Sequence, residues 1–82
     1  MDRPKLLRTM HHCHSTFLLY EETYSDRYGY SIAIFNRDAQ SAFAFDVTEN
    51  RRAAEQFLTL ICEGGLDPCH LYDVLEDMLP LN

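Results

Sequence analysis

The chain has 82 residues, of which 46% are hydrophobic and 24% charged, the composition of a single folded domain (1–82) rather than a disordered segment. Seven Lys and Arg against 13 Asp and Glu leave a net charge of −6, which argues against nucleic acid as a partner, because that affinity comes from cations neutralising phosphates. Three cysteines (Cys13, Cys62, Cys69) without framework spacing, and a basic start without an apolar signal core, point to a cytoplasmic protein with reduced thiols; no apolar run is long enough to be a membrane helix.

Charge is unevenly placed. Every Lys and Arg lies at or before Arg52, and six acids follow it (Glu55, Glu63, Asp67, Asp73, Glu76, Asp77) with no cation among them. Such a surface suits a basic protein partner, or the chain's own Arg3, Lys5 and Arg8.

Residues 1–14 read as a less ordered or pairing segment. Within it, KLLRTM is expected either to cover a sheet face or to add a strand. HHCHS follows (His11, His12, Cys13, His14). If this tract is extended, His12 and His14 share a face and could meet one soft divalent metal; the competing reading is a polar segment leading into the first strand. STFLLYEETY is the first strand candidate and SDRYG a turn. YGYSIAIFN alternates cleanly, with Tyr30, Ile32 and Ile34 on one face. After the turn NRDAQ, SAFAFDV should place Phe43, Phe45 and Val47 on the core side, and Ala42, Ala44 and Asp46 on the other.

The period then changes. Ala54, Phe57, Leu58 and Ile61 recur at i, i+3, i+4, i+7, the stripe of an amphipathic helix. Thr48 is the expected N-cap, and Gly64 and Gly65 the stop. LDPCHLYDVLEDML reads as a second helix. Asp67 caps it, Pro68 starts it where the missing N–H is harmless, and Leu66 staples onto Leu71. Leu71, Val74, Leu75 and Met78 form its apolar stripe, and Pro80 ends it.

The expected fold is therefore α+β, in the order β-β-β-α-α: a three-stranded antiparallel sheet with two C-terminal helices packed on one face. Ala33, Phe35, Ala42, Ala44 and Leu18 or Tyr20 would lie on the opposite face. A domain this small buries only about 60% of its unfolded surface, so an apolar open face suggests self-association, as a homodimer.

Candidate chemistry is sparse. On a helical wheel His70, Asp73, Glu76 and Asp77 lie opposite the apolar stripe, on a solvent face that folding does not require. They are the candidate partner-binding residues. Metal binding through His11, His12, Cys13 and His14, or through His70 with Asp73, is the alternative. Cys69 stands near a helix N-terminus, which favours thiolate. However, His70 points about 100° away from it, and neighbouring acids oppose the charge. Eight of the ten Phe and Tyr fall in the sheet region without a basic groove to make them a base-stacking platform. No phosphate loop, nucleophile elbow or zincin motif is present, so neither an enzyme nor a cofactor is expected.

YGYSIAI, FDVTENRRAAEQFL and LDPCHLYDVLEDML together resemble a family of small uncharacterised bacterial proteins of clostridial type. Their pattern is a Tyr-Gly-Ile-like strand, an Asp-Ile-Ser helix entry and a closing L-x-P-x-H-L-x-D-V-x-E-D helix. Tyr28, Gly29, Asp46, Thr48, Pro68, His70, Leu71, Asp73, Val74, Glu76 and Asp77 match it, between about Phe17 and Leu79. Tyr30 departs from an aliphatic position, and Thr48 stands where Ser is usual. The resemblance implies no activity, but it singles out His70, Asp73 and Asp77. The expectation is a non-enzymatic interaction or regulatory module.

Overall fold

The structure is a computed structural model that describes residues 4–38 and 40–78, with the side chain of Met78 excepted. The expected roles of Arg3, Met78 and Pro80 lie outside what it describes. Four strands, β1 (Lys5–His12), β2 (Ser15–Thr23), β3 (Tyr28–Asn36) and β4 (Ser41–Thr48), form one antiparallel sheet in the order β1-β2-β3-β4. Helix α1 (Arg51–Glu63) follows, then a 3₁₀ turn (Pro68–His70) and helix α2 (Leu71–Met78). The α+β class and the two C-terminal helices agree with the sequence reading, but the sheet has four strands, not three. The added strand is KLLRTMHH. A register shift between Leu6 and Arg8 breaks its alternation, so the period-2 signature is missing from the sequence.

HHCH is the end of that strand and its turn. His12 pairs with Ser15 across a two-residue loop, and Cys13 takes φ 54, the positive value that such short hairpin turns demand. The next turn is closed by Tyr24 N–H donating to the Arg27 carbonyl at 2.8 Å. In the third, Asn36 Oδ1 accepts from the Asp38 and Gln40 amides, an Asx turn.

The core lies between the sheet and the helices. Phe17 and Leu19 of β2, Ile32 and Ile34 of β3, Leu58 of α1 and Leu71 of α2 are fully buried, with Tyr30, Val47, Ala54, Phe57 and Ile61 beside them. Burying each large apolar side chain contributes about 1.5–3 kcal/mol. β4 differs from expectation: Ala42 and Ala44 face the core, while Phe43 and Phe45 lie on the open side. α1, α2 and the 3₁₀ turn all pack against β4, and small alanine side chains let them approach it closely. β4 then bulges. Between Ile32↔Ala44 and Tyr30↔Thr48 it carries two residues more than β3, and Asp46 adopts φ 51. The bulge turns Val47 back into the core, where it is 4% exposed.

Helix ends also shift. Asn50, not Thr48, caps α1: its side chain accepts from Ala53 N–H at 3.1 Å. Thr48 Oγ1 instead accepts from Asn50 N–H at 3.1 Å, so the hydroxyl shapes the approach to the cap. At the other end, Leu66 N–H bonds to Ile61 O and Gly65 N–H to Cys62 O, with Gly65 at φ 62, a Schellman stop. Asp67 makes no side-chain cap bond; its carbonyl accepts from His70 N–H at 3.0 Å. The chain therefore enters α2 through a 3₁₀ turn. Among the described residues no helix is long and apolar enough to cross a membrane.

Candidate functional site

The helix-free face of the sheet gathers the most organised side chains outside the core. On this face β3 presents only Gly29, Ser31 and Ala33 before Phe35, because its even-numbered residues point to the helices. These small residues let larger side chains from β2 and β4 close over them. Tyr20 and Phe43 stack with ring centroids 5.8 Å apart, and Phe43 meets Phe45 at 4.4 Å. Ser31 and Ala33 are consequently 0% exposed although no helix covers them. Leu6, Leu18 and Phe35 extend the patch, and Phe45 is left 69% exposed.

One end of this face is polar. Arg27, from the β2–β3 turn, grips the Asp46 carboxylate with two hydrogen bonds of 2.9 and 2.6 Å and reaches Glu49 at 3.3 Å. Its guanidinium lies 4.4 Å from the centre of the Tyr24 ring. Asp46 N–H donates to Ser31 Oγ at 3.0 Å, and that hydroxyl donates to Glu22 at 2.8 Å. Tyr24 donates to the other Glu22 oxygen at 3.4 Å. The hydrogen bonds from Arg27 hold the Asp46 carboxyl below its ordinary pKa, and Asp46 in turn raises that of Arg27. Burial, followed by the charges of Glu22 and Asp46, pushes the Tyr24 phenol up. This is a chain of donors and acceptors, closed by the Arg27–Tyr24 ring contact, that locks the β4 bulge to the β2–β3 turn.

The residues singled out from sequence lie elsewhere. His70, Asp73, Glu76 and Asp77 are exposed, and they form no ion pair or side-chain hydrogen bond among the described residues. His70 belongs to the 3₁₀ turn and the acids to α2, so one α-helical wheel does not relate them: a 3₁₀ turn advances by three residues, not 3.6. The histidine cluster is split. His11 is on the open face, its Nδ1 3.3 Å from Thr16 Oγ1. His12 turns toward the helices, close enough to Gly65 that a Cβ there would sit 3.1 Å from the ring. No three His, Cys, Asp or Glu side chains gather to hold a metal among the described residues. Cys13 and Cys69 are exposed and Cys62 is buried; the described grooves are not lined by Cys69 or His70.

Sequence reasoning missed both the aromatic ladder and the Arg27–Asp46 pair. Two signals were present: an acid inside the apolar run FAFDV, and a glycine inside the strand YGYSI. Fold and site together define a two-layer α+β domain with an aromatic, helix-free sheet face and a polar lock at one end. Comparison with family models, curated proteins and solved structures finds no match to the chain.

Proposed function

We propose that the protein is a non-enzymatic interaction module that self-associates as a homodimer through the open sheet face. The observation that carries this is the aromatic ladder ending in Phe45 of β4, 69% exposed, on the same sheet face as Phe35 of β3 at 43% and Leu6 of β1 at 49%. Isolated exposed apolar residues are ordinary, but a contiguous apolar patch with a polar border is the anatomy of an interface. The molecule measures 37 × 26 × 18 Å; its broad sides are comparable to the roughly 800 Å² per partner that a standard interface buries. Electrostatics favour the same face. Two chains of net charge −6 repel each other, and the aromatic part of this face adds no charge to that repulsion, because Arg27, Asp46, Glu49 and Glu22 are gathered at one end.

The exposed acids of α2 support a second role within the same reading. His70, Asp73, Glu76 and Asp77 provide a docking strip for a basic protein segment. The resemblance to the clostridial-type family, through His70, Asp73 and Asp77, belongs to this proposal, as does a cytoplasmic location, which suits the three free cysteines.

Sedimentation equilibrium of the wild type and of Phe45→Asp tests the dimer, with circular dichroism as the check on folding. The wild type is expected to dimerise and the variant to sediment as a folded monomer. A wild type that stays monomeric at hundreds of micromolar overturns the reading.

A further inference from the structure

The two edges of the sheet are treated differently. At the β4 edge the Tyr72 hydroxyl donates to the Phe43 carbonyl at 2.6 Å, Asp46 bulges the strand, and α2 and the 3₁₀ turn pack against it. β1 also carries a register shift, between Leu6 and Arg8, and α1 packs beside it, but among the described residues its outward backbone groups receive no turn, loop or side-chain hydrogen bond. An uncovered edge is a template for another strand. Beside it, a groove between β1 and α1 is lined by Arg8, Arg52, Gln56, Thr59 and the half-exposed Leu60. The acid in that groove, Glu55, is bonded to Arg51 at 3.3 Å, which leaves Arg8 and Arg52 without a carboxylate among the described residues.

We infer that the β1 edge binds an extended acidic segment of a partner protein by strand addition. Lys5–His12 contains two cations, three counting Arg52 across the groove, and no acid. A second copy of β1 is the wrong occupant, because KLLRTMHH holds no acid to meet its own Lys5 and Arg8, and antiparallel pairing across residues 5–8 sets those cations against each other. An acidic strand gains both the backbone bonds and the charge. Alternate side chains of an added strand point to opposite sheet faces. Those on the helix side meet Arg8 and Arg52, so Asp or Glu belongs there; those on the open side lie along Leu6, 49% exposed, and should be apolar. Main-chain pairing supplies affinity, and the alternate pockets supply specificity.

Selection of displayed eight-residue peptides against the full chain tests this. Enriched peptides are expected to alternate acidic and apolar residues. Their affinity, read by fluorescence anisotropy, should fall about tenfold or more in Arg8→Glu/Arg52→Glu, as for a charge pair at an interface. It should hold in Arg37→Glu, which changes an exposed charge on the β3–β4 turn that does not line this groove. N-methylation of the peptide amides facing β1 should abolish binding, while methylation of the intervening amides should not. This peptide arm is independent of how the variants fold. Phe45→Asp, which breaks the proposed dimer, should bind the peptides as the wild type does. A selection without acidic alternation, binding indifferent to N-methylation, or no enrichment at all overturns the inference.

Discussion

Arg27 holds Asp46 by two parallel hydrogen bonds, 2.9 and 2.6 Å long, directly above the bare backbone of Gly29. The pair joins the β2–β3 turn to a β4 residue at φ 51, a conformation few non-glycine residues accept. Because the carboxyl's pKa is lowered in the folded protein by Arg27, its contribution is present above the unfolded value and is lost as pH falls through the folded one. Urea titrations of the wild type should therefore show stability falling from about pH 5 downward. Asp46→Asn should be less stable at neutral pH and should lose less on acidification. Equal pH slopes for the two proteins would remove Asp46 from the account.

Gly29 is the other half of this relationship. A Cβ there would press into the Asp46 carboxylate and sit 2.7 Å from Tyr24 Cε2. Gly29→Ala should destabilise by about 1–3 kcal/mol, the range for overpacking. A midpoint unchanged in thermal unfolding would show that the Tyr24–Arg27–Asp46 cap moves aside freely.

The three thiols should separate by reactivity. Cys62 is 4% exposed, and burial together with the nearby Glu63 charge raises its pKa, whereas Cys13 and Cys69 are exposed. Reaction of the native protein with a thiol-specific disulfide reagent should modify two cysteines quickly and the third only with unfolding. Three fast equivalents in the native state would contradict the burial of Cys62.

Leu58 is fully buried between α1 and the sheet. Leu58→Ala should cost about 2–5 kcal/mol, the transfer loss plus that of the cavity. In a domain whose whole stability is of order 5–15 kcal/mol, this variant should melt far below the wild type in calorimetry or fail to fold.

Tyr72→Phe removes the bond to the Phe43 carbonyl on the β4 edge. A loss of about 0.5–1.5 kcal/mol is expected, the net worth of one hydrogen bond. Hydrogen exchange should quicken along β4 and leave β2 unchanged; uniform quickening would mean that Tyr72 serves the whole fold.

Much of the fold was legible because it rests on local demands. The stripe Ala54, Phe57, Leu58, Ile61 is buried as its spacing requires, the Gly64–Gly65 stop closes α1, and Tyr30, Ile32 and Ile34 face the helices. Each depends on residues within a turn or two of one another. The choice between Thr48 and Asn50 as cap was also local, but both side chains accept a backbone N–H, so residue type could not decide it. Of the candidate site, sequence identified the exposed acids of α2 and an apolar open face, but placed the wrong β4 residues on that face.

By itself the amino-acid sequence determined the class of fold, the two helices with their apolar stripes, the central strand β3 and the charge asymmetry, because periodicity, turn chemistry and charge are properties of neighbouring residues. Tertiary structure decided the rest. Alternation in Ala42-Phe43-Ala44-Phe45 is equally compatible with either face, and the choice is made where α1, α2 and the 3₁₀ turn pack over Ala42 and Ala44 and leave the rings outside. β1 became a strand because β2 offered it an edge despite its broken alternation. Arg27 and Asp46, 19 residues apart, meet only because two turns and a bulge bring them over Gly29, and no spacing rule encodes that encounter.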